Sequence, residues 1–388
     1  MAKNNKPQQA LKVAFLGGWG SGKTTLMASY LGHMASHRWQ KEHKYYLGSP
    51  DSADSKRLNS QFQGLCDGYF PEATVKRATA YRFHMHVQDC DGVPLEIQWL
   101  DYPGEWWERE PMDAKERKQR DEALRNMMQS QVCFLVIDGA ELKKHGEKYL
   151  RSYLAHMTNE IANLLRQNNS KKRSKQLRDM VWILALSKAD LLEKNVTAGD
   201  FADFVNRYAS DQIHTLRQRL GEAGCPSLGM NYLLFSSVLG VGQKIVDIHQ
   251  TIGLDLIAPL AWRTLLEKEL QNFEQSAILK RIFAGSADRG ALPAVFGMLR
   301  QWLAKWPERS TRELADLLFS RAETWLNSRA GDLQQELSVQ QQAGHSLQAA
   351  EALLKIALRK PENQKYYYVP LLRVNSHESA AWKRYFYW

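Results

Sequence analysis

Hydrophobic residues gather in short runs separated by longer stretches of periodic polarity. "LKVAFLGG" (11–18) is apolar apart from Lys12 and ends on glycines, the pattern of a buried strand entering a turn. "VCFLVIDG" (132–139), "MVWILALSKAD" (180–190) and "NYLLFSS" (231–237) are three more such runs. "RATAYRFHMHVQD" (77–89) partly alternates, as a half-exposed strand does, and "PLEIQWLDYPG" (94–104) reads as a strand running into a turn. Between them, residues 23–37, 149–168 and 200–221 carry helical patterns. Apolar strands alternating with helices predict an α/β fold, a mostly parallel sheet covered on both faces.

The pattern changes after about Gln243, where strand signals stop. "LAWRTLLEKELQNF", "LPAVFGMLRQWLAKW" and "SLQAAEALLKIALR" read as amphipathic helices. So does a longer stretch opened by Ser310 and Glu313 in capping-box spacing. The expected organisation is a polar tail over 1–10, an α/β domain over 11–243 and a helical region over 244–388. Trp262, Trp302, Trp306 and Trp325 are expected in the helical core. Trp382, Tyr385, Phe386, Tyr387 and Trp388 crowd a short stretch with Lys383 and Arg384. That composition suits either a tail folded back on its own domain or a hook for a partner protein or second subunit.

Chemistry concentrates behind the strands. "GGWGSGKTT" gives G-x-x-x-x-G-K-T with Gly17, Gly22, Lys23 and Thr24 in the fixed places, after a strand and before a helix. Such a loop turns backbone N–H groups inward onto phosphates, helped by the positive end of the following helix. Gly17, Gly20, Ser21, Gly22, Lys23, Thr24 and Thr25 form the expected cradle. Lys23 sets a cation on the β- and γ-phosphates, and Thr24 offers its hydroxyl to Mg²⁺.

"DYPG" (101–104) ends a strand beside this loop. Asp101 is placed to hold Mg²⁺, through water, and the Gly104 N–H to meet the γ-phosphate. In "SKAD" (187–190), Asp190 can accept both N–H donors of guanine, which adenine cannot match. Lys188 can lie along the base plane, and Ser187 stands where asparagine is usual. Ser236 and Ser237, after the last apolar run, suit a loop that meets the base. A threonine in "GYFPEATVKRATA" (68–80) can complete the metal shell: Thr74 is the expected residue, Thr79 the alternative.

The order of "GGWGSGKTT", Thr74, "DYPG", "SKAD" and "SSV" resembles that of the TRAFAC-class GTPases over about 11–242, and "DYPGEW" resembles the bacterial YcjX-like and double-GTPase groups. The resemblance implies a Ras-like P-loop fold, Mg·GTP binding and slow hydrolysis to GDP. Glu105 stands where Ras-like proteins place the glutamine that orients the attacking water. A carboxylate there can orient or deprotonate water, but adds negative charge beside a triphosphate. The expected catalytic set is therefore Lys23, Glu105 and Thr74. Pro71 occupies the place before Thr74 where some GTPases carry an internal arginine, and Arg77 lies beyond it.

The formal charge of +10 suits an anionic partner, nucleic acid among them. Residues 1–10 hold no apolar signal core, and no run approaches the roughly 18 apolar residues of a membrane span. Cys66, Cys90, Cys133 and Cys225 lack metal-type spacing and read as reduced thiols of a cytoplasmic protein. The leading expectation is a GTP-controlled switch that signals to an effector or assembly partner through the helical region, with homo-oligomerisation open. By resemblance alone, bacterial stress or conflict with phage is a setting for it. Two alternatives stand beside it: a P-loop ATPase acting on nucleic acid, and a nucleotide-binding structural subunit of a larger assembly.

Overall fold

The computed structural model describes residues 11–43, 45–48, 52–71, 79–87, 95–109, 111–127, 129–167, 180–193, 195–219, 231–241, 244–261, 357–360 and 362–368. The chain opens with β1 (Leu11–Gly17), α1 (Lys23–Met34), α2 (His37–His43), β2 (Tyr45–Gly48) and α3 (Ser52–Cys66). It continues through β3 (Thr79–Val87), β4 (Leu95–Asp101), α4 (Glu105–Glu108), α5 (Ala114–Met127), β5 (Val132–Ile137) and α6 (Gly139–Gln167). Then come β6 (Val181–Leu186), α7 (Ala198–Arg219), β7 (Tyr232–Leu234), β8 (Leu239–Val241) and β9 (Lys244–Asp247). After an interval outside the described residues, α8 (Asn363–Tyr366) runs into β10 (Tyr367–Tyr368).

Eight strands form one sheet in the order β10-β7-β6-β5-β1-β4-β3-β2. The centre is parallel, as the apolar runs predict; β3 joins β4 and β10 joins β7 antiparallel, and β2 pairs antiparallel with β3. β5 and β6 are buried at every position because helices cover both faces. Alternation divides the core. Phe15 stacks on Phe134 with ring centroids 4.9 Å apart and meets Trp99 at 5.1 Å, and Trp99 packs on Tyr30 of α1. Ala14, Leu16, Cys133, Leu135, Trp182 and Leu184 face the other way and join the cluster that Leu154 and Met157 of α6 and Phe201 and Val205 of α7 complete. Trp106 is buried in that cluster.

Strands continue past 243, where the sequence pattern indicates helix alone. β8 and β9 form a two-stranded ladder across that point, and Ile252 bridges Ser236. The described residues, up to 261 and again over 357–368, belong to one compact unit. β10 therefore returns late in the chain to extend the sheet, pairing Tyr367 with Leu233 and Tyr368 with Tyr232.

The return is clamped. Asp255 is buried and accepts hydrogen bonds from Lys360 Nζ at 3.1 Å and Asn363 Nδ2 at 2.8 Å. His43 Nε2 lies 2.8 Å from the same Lys360 nitrogen, and Trp39 stacks on the His43 ring. Burial raises the Asp255 pKa, but His43, Lys360 and Asn363 outweigh it and hold the carboxyl below its ordinary value.

The expected helices over 262–352, with Ser310, Glu313 and the four tryptophans, lie outside the described residues, as do the aromatic tail and the polar segment 1–10. Cys66 is exposed and Cys133 is buried in the core. Among the described residues no helix is long and apolar enough to cross a membrane.

Candidate functional site

The loops that follow β1, β4, β5, β6 and β7 all lie at the carboxyl ends of the parallel strands, where open α/β sheets form their ligand crevice. A cavity of about 390 Å³ lies there. Gly20, Ser21, Gly22, Lys23, Thr24 and Thr25 line one part; Gly104, Ser187, Lys188, Asp190, Ser236 and Ser237 line the rest. The two sets are far apart in sequence, and the sheet brings them together.

The loop after β1 closes on a left-handed residue. Gly22 has φ 86°, a conformation that costs a side-chain-bearing residue on the order of 1–2 kcal/mol, and α1 starts immediately after it. Lys23 is buried, and its ammonium donates to the carbonyls of Gly17 at 2.7 Å and Gly18 at 2.9 Å. Burial pushes its pKa down to about 8, against the pull of Asp101, Glu108 and Asp138. The Lys23 charge is thus held inside the loop.

At the foot of α1, the Thr24 hydroxyl lies 3.4 Å from Asp101 Oδ2. A hydroxyl and a fully buried carboxylate at the mouth of a phosphate loop are hard oxygen donors that suit Mg²⁺, an ion that takes its remaining shell from phosphate and water. Among the described residues no cluster of three or more His, Cys, Asp or Glu offers a metal cage, and none is needed for such an ion. Thr74 and Arg77 lie outside the described residues. Thr79 pairs with Asp101 across the β3–β4 ladder.

The other end of the cavity is a fixed carboxylate. Asp190 accepts the Ser236 hydroxyl on Oδ1 and the Gly240 N–H, at 3.0 Å, on Oδ2. Each oxygen keeps a second lone pair, so the carboxylate is oriented without being used up. Ser236 is held in turn by two backbone hydrogen bonds with Ile252, and the Ser237 carbonyl accepts the Ser29 hydroxyl of α1 at 2.6 Å. Ser187 sends its hydroxyl to the Ile137 carbonyl at 3.2 Å. It ties β6 to β5, one part of what an asparagine would do there.

Glu105 opens α4, and its Oε1 lies 3.5 Å from Arg109, which forms a two-pronged pair with Glu116 at 2.6 and 2.9 Å. That pair, led by the Arg109 hydrogen bond, drives the Glu116 pKa down to about 2. His84 and His86 of β3 sit with rings 6.4 Å apart, and Tyr46 stacks on His86, a packing role on the sheet surface.

The sequence also matches a family model, Double-GTPase 2, over residues 12–227, more than half of the chain. The chain belongs to the double-GTPase 2 family. Comparison with curated proteins returns no match. Solved structures similar to this double-GTPase chain include the cytosolic domain of the T. maritima FeoB iron transporter in a GDP form, at 16% identity, covering 90% of this chain and 98% of that one, TM-score 0.26. The S. cerevisiae Ski7 GTPase-like domain bound to GTP is also similar, at 16% identity, covering 59% and 42%, TM-score 0.28. Methanosarcina barkeri Roco2 bound to GDP follows at 14% identity, covering 68% and 50%, TM-score 0.24.

Four residues of this double-GTPase site escape the motifs. Asp138 pairs with Lys188, Phe70 and Trp19 line the cavity with their rings partly in solvent, and Glu108 reaches the phosphate loop. "VIDG" after an apolar run was a signal for Asp138, since a carboxylate at that point caps the next helix. The other three depend on how distant loops meet, which no local spacing encodes.

Proposed function

We propose that this double-GTPase chain binds Mg·GTP and Mg·GDP, hydrolyses GTP slowly and uses the difference to switch an effector protein. The observation that supports this most is a single cavity bounded by the phosphate loop at one end and the oriented Asp190 carboxylate at the other. Lys23 would neutralise the β- and γ-phosphates, and Thr24 and Asp101 would hold the metal. Mg²⁺, when bound, supplies charge neutralisation on the phosphate oxygens. Asp190 would take the two guanine donors while Ser236 and Gly240 keep it aimed, with Phe70 alongside; its ring comes within 3.9 Å of where a Cβ on Gly240 would stand. Glu105 would face the attacking water. Its carboxylate lies close to Arg109, which tempers its repulsion of the triphosphate.

Fluorescent GDP and ATP analogues titrated with Mg²⁺, followed by single-turnover hydrolysis of GTP, test the reading. Guanine selectivity is expected, and Asp190→Asn should lose it by about 2–4 kcal/mol while gaining tolerance for xanthine. Equal affinity for ATP and GTP would refute the assignment of Asp190. Binding without turnover would favour the structural-subunit alternative.

A further inference from the structure

Glu108 is the last residue of α4 and an exposed carboxylate, yet it points at the phosphate loop. Its Oε1 accepts the backbone N–H of Trp19 at 2.7 Å. The approach is close: a Cβ on Gly18 would stand 2.4 Å from that oxygen. The backbone just before α4 is docked on the same peptide. A Cβ on Gly104 would stand 2.4 Å from the Trp19 nitrogen and 2.5 Å from the Gly18 carbonyl oxygen. Two elements of the segment 104–108 thus cover the Gly18–Trp19 peptide, and one of them brings a negative charge. That charge also acts on Lys23, whose ammonium it helps to keep protonated.

A diphosphate and a triphosphate differ in what they ask of this place. The third phosphate must sit between the Lys23 side of the loop and Gly104, and it brings up to two negative charges to the front of the loop. A carboxylate already bonded to a loop N–H repels that charge and occupies one of the donors. A diphosphate leaves the place alone.

We propose that Glu108 is a resident anion that competes with the γ-phosphate, so that it sets the preference of this chain for GDP over GTP. The proposal rests on the guanine-nucleotide reading above. GTP enters by displacing the carboxylate from the Trp19 N–H and lifting Gly104 off the Gly18–Trp19 peptide. The nucleotide preference and the position of α4 are then one equilibrium.

The test compares the full-length native chain with Glu108→Gln and Glu108→Ala, titrating GDP and a non-hydrolysable GTP analogue with Mg²⁺. Losing one charge-assisted competitor should raise GTP-analogue affinity by roughly tenfold or more. GDP affinity should stay within about twofold, which also reports that the variant is folded. Glu108→Gln keeps the size and an acceptor oxygen, so a gain in both variants assigns the effect to charge. An unchanged GTP-to-GDP ratio in Glu108→Ala, with GDP still bound, would overturn the proposal and leave the nucleotide reading intact. A native chain that bound neither nucleotide would remove both.

Discussion

The Lys188 ammonium lies 2.7 Å from the Asp138 carboxylate, at the base end of the cavity. Lys188 is the sole non-glycine residue with positive φ among those described, at 53°. Such a backbone costs on the order of 1–2 kcal/mol and persists only where neighbours hold it. Asp138 is buried and also caps α6, its Oδ1 accepting the Ala140 N–H at 2.8 Å. Asp138→Asn keeps a capping oxygen and loses the charge. It should weaken GDP binding about three- to tenfold with little change in melting temperature. Asp138→Ala should in addition lose about 1 kcal/mol of stability with the cap. GDP titration and thermal melts check both; full affinity in both variants would mean that Lys188 is placed without Asp138.

Nucleotide affinity should depend on pH through Lys23. Its pKa in the free chain is down at about 8, whereas bound phosphates favour the charged form and raise it. Binding therefore takes up a proton above pH 8. Affinity for GDP should be flat between pH 6 and about 7.5, then fall by up to tenfold per pH unit above about 8. Calorimetry in buffers of different ionisation enthalpy would register the proton. A flat profile to pH 9.5 would show that Lys23 stays charged in the free chain.

Glu105 should matter to turnover more than to affinity. Arg109, 3.5 Å away, is itself committed to Glu116. Glu105→Ala is expected to change single-turnover hydrolysis by tenfold or more, the usual scale for a residue that handles the attacking water, with GTP affinity nearly constant. Arg109→Ala should move turnover in the same direction by a smaller factor, since it acts through Glu105. A shift in affinity alone would place Glu105 against phosphate instead.

The clamp around Asp255 should be a large contributor to stability. Asp255 and His43 are both buried, and Lys360 and Asn363 converge on the same carboxylate oxygen. Asp255→Ala removes the acceptor that buried His43 and Asn363 share with half-exposed Lys360, and should cost about 1–3 kcal/mol in urea unfolding. The Asp255 pKa is depressed in the folded chain, so its contribution is full above the ordinary carboxylate range. It is lost as pH falls through the lower, folded value. A variant as stable as the native chain at pH 7 would mean that the cluster is held by packing alone.

The central strands and most of the cavity were legible in the sequence because both are locally encoded. A run such as "VWILAL" is apolar at every position, and only a strand covered on two faces suits it. G-x-x-x-x-G-K-T states its own backbone conformation through Gly22. What stayed hidden was decided by distance in the chain. β10 is two tyrosines long, and nothing in "YYYVP" says that Leu233 will pair with Tyr367. β2 and β9 are four residues each, too short for alternation to register. Glu108 belongs to no motif, and its reach to the loop depends on Gly104 lying against Gly18. The region past 243 reads as helix alone because its strands are short and its sheet partners lie elsewhere.

The late return of β10 sets the order in which a ribosome can finish this protein. β7 and Asp255 emerge long before the residues that complete them, Tyr367, Tyr368, Lys360 and Asn363. At ordinary elongation rates the delay is on the order of 5–20 s. Throughout it, β7 lacks the strand that will pair with it and a carboxylate destined for burial has its late partners unmade, the state in which strand edges recruit neighbours. The nucleotide-binding loops are already synthesised by then, so a nucleotide that binds at this stage would stabilise the sheet that β10 later extends.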